Sequence, residues 1–71
     1  MTKIDFQIEW NENRIKCLND EISERKAIVR FALDEPQIDG EKIAKAAKYI
    51  DECQVMIKML NEENEMLKTL R

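Results

Sequence analysis

Seventy-one residues with 38% charged and 6% aromatic side chains, one Gly and one Pro describe one small domain of long helices, not a turn-rich sheet. A net charge of −3 is too small for a nucleic-acid mimic or a polybasic binder. Two Cys without a metal-like spacing and no His predict a reduced, cytoplasmic protein with no bound metal or cofactor. The chain has no apolar run of about 18 residues and its start, "MTKIDFQIEW", has no apolar h-region, so neither a membrane span nor a secretory signal is expected.

The first element begins at "TKID", with Thr2 as N-cap and Asp5 as the acidic partner of a capping box. Heptad spacing predicts a helix over about 3–34. Its a positions are Ile8, Ile15, Ile22 and Val29, and its d positions are Ile4, Asn11, Leu18, Arg25 and Ala32. The one strong break is "LDEPQIDG": Pro36 disfavours helix at Glu35, which predicts a turn over about 35–39. Asp39 then caps a second helix, with Glu41 in its first turn and Ile38–Ile43 as a hydrophobic staple.

That second helix is predicted over about 40–70, with Ile43, Ile50, Ile57 and Asn64 at a and Ala46, Cys53, Leu60 and Leu67 at d. Both seams alternate by three and four residues, and a linker this short makes the helices antiparallel neighbours. The expected fold is therefore all-α: one antiparallel two-helix hairpin over residues 1–71. The register that aligns the seams sets Ile8 against Leu67, Ile15 against Leu60, Leu18 against Ile57, Ile22 against Cys53 and Val29 against Ala46.

The same register sets Asn11 opposite Asn64. Two facing amides satisfy each other, whereas a one-heptad slip strands both, so the pair would fix register at some loss of stability. The alternative is that both lie near the open end and are simply wet. Arg25 faces Ile50 and is expected to lay its stem over the seam, with its head near Glu21 or Asp51. Cys17 at c and Cys53 at d do not face each other, so no intrachain disulfide is expected.

The seams leave a second apolar set unused. On helix 1 it includes Phe6, Trp10, Ile28 and Phe31; on helix 2, Tyr49, Val55, Met56, Met59 and Met66. Two helices share only one interface, and ordering the chain costs about 1–2 kcal/mol per residue. Self-association into a four-helix bundle, a dimer first of all, would cover this set; a different protein is the other candidate occupant. Lys42, Lys45 and Lys48 with Lys26 and Arg30 suggest an anion or nucleic-acid patch. Interspersed carboxylates and the lack of a Gly-rich phosphate loop make it a solvated face, and nucleic acid is not the expected partner.

No nucleophile–base arrangement is present, so no catalytic residues are assigned and no enzyme is expected. The run "NEENE", residues 61–65, could gather a divalent cation only if an oligomer brought copies together. "IDGEKIAKAAKYID", residues 38–51, resembles the second helix of the small two-helix aspartyl-phosphate phosphatases of bacterial sporulation, with Ile50-Asp51 in the Leu-Asp place of their Ser-Gln-Glu-Leu-Asp signature. Ala47, Lys48 and Tyr49 stand where Ser, Gln and Glu would be, so only Asp51 carries over. The resemblance covers about half the chain and implies a hairpin that docks on a phosphorylated signalling protein. The leading expectation is a non-enzymatic interaction or regulatory module of a bacterium or phage, acting as a helical homo-oligomer. A phosphatase-like regulator and a structural assembly subunit are the alternatives.

Overall fold

Thr2 accepts a hydrogen bond from the Asp5 backbone N–H at 3.1 Å, supplying an acceptor to one of the unpaired amides at a helix start. The computed structural model describes residues 2–71, and from this cap α1 runs over Lys3–Asp34. The Asp5 carboxylate reaches back to Thr2, as the capping box expects. It accepts from the Thr2 hydroxyl at 2.9 Å and from Arg71 at 2.9 Å, which ties the two chain ends together.

Glu35 ends α1 in an extended conformation (φ −71°, ψ 148°), as Pro36 demands of the residue before it. Asp39 accepts from the Lys42 backbone N–H at 3.1 Å and opens α2, Gly40–Thr69, which closes at Leu70 with a bond to the Leu67 carbonyl at 3.1 Å. Ile38 remains 62% exposed, so the expected staple with Ile43 does not cover it.

The helices lie antiparallel along their whole length, making an all-α hairpin of 55 × 16 × 11 Å. Leu18, Ile22 and Cys53 form the buried centre of the seam, with Tyr49, Ile50, Ile57 and Leu60 packed around it. Ile8 closes the seam towards the open end, and Ala32 and Ala46 towards the turn. The radius of gyration is 16.3 Å, against roughly 11 Å for a compact chain of this length. So elongated a body buries one thin line of side chains and leaves most of both helix surfaces uncovered. No helix among the described residues is long and apolar enough to cross a membrane.

Candidate interaction face

Heptad geometry divides the surface of the hairpin into two flanks. In an antiparallel pair the g positions of both helices fall on one side of the seam and the e positions on the other, with c beside g and b beside e. The e/b flank is polar along its length, and Leu33 is its one large apolar side chain. The g/c flank holds Trp10, Phe31, Met59 and Met66 at c and Ile28, Tyr49 and Met56 at g; Phe6 and Val55 sit at f, on its outer rim.

Seven of these nine residues are exposed in the hairpin: Phe6, Trp10, Phe31, Val55, Met56, Met59 and Met66, with Trp10 at 52% and Phe31 at 73%. Ile28 and Tyr49 are not. Both are half-buried, because each lies against the seam rather than beyond it. The Tyr49 hydroxyl crosses to α1 and donates to Glu21 at 2.7 Å, and its ring packs on the central cluster. The expected place of Arg25 also changes. Its guanidinium stacks over the Tyr49 ring, 4.5 Å from the centroid, instead of seeking Glu21 or Asp51. A ring face suits the weakly hydrated guanidinium. The Glu21 hydrogen bond, then burial, pushes the Tyr49 phenol pKa above its ordinary value.

At the open end, Asn11 and Asn64 are buried and bonded: the Asn11 Nδ2 donates to the Asn64 Oδ1 at 2.8 Å. Two flanking residues complete this network. Gln7 donates to the Asn11 Oδ1 at 2.9 Å, and the Asn11 amide also reaches Glu63 at 3.3 Å. Gln7 and Glu63 were absent from the sequence expectation, although the signal existed: Gln7 precedes Asn11 by one turn, a spacing at which Gln and Asn side chains bond. Among the described residues, no buried side-chain nitrogen or oxygen lacks a partner.

Two shallow grooves run between the helices on the g/c flank. The open-end groove is lined by Trp10, Arg14, Met56, Met59, Leu60 and Glu63 and encloses about 280 Å³. The turn-end groove is lined by Arg25, Ile28, Lys42, Lys45, Ala46 and Tyr49 and encloses about 310 Å³. The lysines there are partly engaged nearby, Lys45 with Glu41 at 3.2 Å and Lys42 with Glu35 at 4.0 Å.

Cys17 is free and exposed, while Cys53 is free and buried, its thiol 4.0 Å from the Glu21 carboxylate. Asp51, the position shared with the phosphatase signature, is exposed on the polar flank, away from Tyr49 and both grooves. Among the described residues, no three His, Cys, Asp or Glu side chains converge in a way that could hold a metal ion. No protein family, curated protein or solved structure matches the chain.

Proposed function

We propose that the protein acts by protein–protein contact, without chemistry of its own, as a homodimer whose g/c faces close into a four-helix bundle. In this form it would serve as a regulatory or assembly module. The observation that carries the proposal is the segregation of exposed large apolar side chains onto one flank shared by both helices, opposite a polar flank.

Area supports the same conclusion. The hairpin exposes 5624 Å², against roughly 4600 Å² for a compact protein of 8.4 kDa. The surplus, roughly 1000 Å², is similar to the surface that each partner contributes to an ordinary protein–protein interface. Closing the flank would give each helix a second neighbour and extend a one-line seam into a bundle core.

Sedimentation equilibrium at micromolar concentration tests the proposal. The expected result is a species of twice the 8.4 kDa chain mass. Trp10 emission should be blue-shifted in that species and move to the red on dilution. A folded monomer at high concentration with Trp10 solvated would overturn the homodimer and leave the face to a different protein.

A further inference from the structure

The c positions form the outer ladders of the g/c flank. On α1, beyond Lys3 at the helix start, they are Trp10, Cys17, Glu24 and Phe31; on α2 they are Lys45, Glu52, Met59 and Met66, and all of these are exposed. The seam fixes their heights, because the Asn11–Asn64 bond sets those two residues level. Counting from that bond along antiparallel helices, Trp10 stands level with Met66 to within one residue, roughly 1.5 Å. Both ladders climb by heptads, so Cys17 stands level with Met59, Glu24 with Glu52 and Phe31 with Lys45, each to the same margin. The flank is therefore banded. It is apolar at the two levels nearest the open end, acidic at the next, and aromatic and cationic nearest the turn.

We propose that the second copy closes on this flank with its turn at the same end, about a two-fold axis parallel to the helices. This arrangement rests on the homodimer proposed above and specifies its geometry. It lays α1 of each copy on α2 of the other, every neighbour antiparallel. Rotation about such an axis leaves every height unchanged, so residues level within one hairpin face each other between two. One axis meets all four pairs, and symmetry makes each of them twice. Trp10 then covers Met66, and Cys17 covers Met59, apolar on apolar, with the soft thioether of Met66 against a ring. Lys45 comes to the ring of Phe31, which attracts a cation. Glu24 against Glu52 is the one opposed pair.

Turns at opposite ends would instead lay α1 on α1 and α2 on α2, each ladder running against itself. Trp10 would meet Phe31, but Cys17 would meet Glu24, Met59 would meet Glu52 and Met66 would meet Lys45. Three of the four pairs would then press an unpartnered charge onto an aliphatic or thiol side chain, which strips water from the charge without replacing it. The same-end packing has none of these and keeps apolar levels on apolar levels.

Disulfide trapping and charge reversal test the arrangement. Met59→Cys sets a thiol level with the native, exposed Cys17 of the second copy. Within one hairpin both c positions point away from the seam, and a disulfide spans at most about 7 Å between Cα atoms. Oxidised glutathione should therefore give Met59→Cys a covalent dimer, with peptide mapping showing Cys17 joined to position 59 of the other chain. Wild type, and Met59→Cys combined with Cys17→Ser, should give none. Glu24→Lys turns the opposed pair into an attractive one and should lower the dimer Kd about tenfold. Asp51→Lys makes the same change of charge on the polar flank and should leave Kd within about threefold. A wild-type dimer whose Met59→Cys form lacks the interchain link, or in which Glu24→Lys gains no more than Asp51→Lys, would overturn the same-end arrangement and leave the homodimer intact. A monomeric wild type would remove both.

Discussion

Among the described residues, Asn11 and Asn64 hold the one fully buried side-chain hydrogen bond between the helices, and its partners can be counted. The Asn11 oxygen accepts from Gln7, while its nitrogen donates to Asn64 and Glu63. Asn11→Leu would leave Asn64 and Gln7 without that partner, and a buried group so stranded costs about 1–3 kcal/mol. Replacing both asparagines by Leu removes the stranded amide and adds apolar packing. Urea melts should therefore show the double variant more stable than Asn11→Leu, and additive single and double effects would mean the amides are not coupled. Tyr49 gives a second residue-level prediction. Its pKa is raised because the Glu21 carboxylate accepts a hydrogen bond from its hydroxyl, which favours the neutral phenol in the folded state. This contribution is fully present below the unfolded phenol value of about 10 and is lost as pH rises through the higher folded value. Tyr49 is the only tyrosine, so ultraviolet absorbance follows it alone. Glu21→Gln should move its titration down towards the ordinary value, and an unchanged midpoint would rule out Glu21 as the cause.

The two helices start from side-chain caps and are separated by one proline. Asp39 and Gly40 stand side by side at the start of α2, yet opposite outcomes are expected on replacing each with Ala. Asp39 supplies an acceptor to the Lys42 N–H, so Asp39→Ala should lower stability by about 0.5–2 kcal/mol. Gly40 has no positive φ, and a Cβ added there would meet no atom within 4 Å. Gly40→Ala restricts the unfolded chain without strain and should raise stability by about 0.4–1 kcal/mol. Thermal melts of the two variants should move to opposite sides of wild type; a loss at Gly40→Ala would show that the turn needs the freedom of glycine.

At the scale of the whole molecule, the decisive property is asymmetry between flanks. Met56 lies on the apolar flank, at 40% exposure, and Leu33 on the polar one, at 53%. Placing a carboxylate at either site does little harm to an isolated hairpin, because both side chains already meet water. If the g/c flank is covered by a second copy, Met56→Glu should push the protein to monomer and lower its melting temperature in a concentration-dependent way, since association and folding are then linked. Leu33→Glu should leave the sedimentation profile of wild type. Equal behaviour of the two variants would argue that no flank is special.

Much of the fold was legible in the sequence because seam positions obey a strict period. Heptad spacing, Pro36 and the Asp39 cap determine two helices, their turn and a register in which Asn11 faces Asn64. Tertiary structure decided what happens beside the seam. Gln7 and Glu63 join the asparagines, Arg25 stacks on Tyr49 instead of pairing with an acid, and Tyr49 and Ile28 withdraw from the open face. Ile38 stays exposed, although its spacing from Ile43 suggested a staple. Periodicity assigns a residue to an angle around its own helix; it cannot say which partner a long flanking side chain will choose. That choice depends on which groups the neighbouring helix presents at the same level, and the level exists only once the two helices have paired.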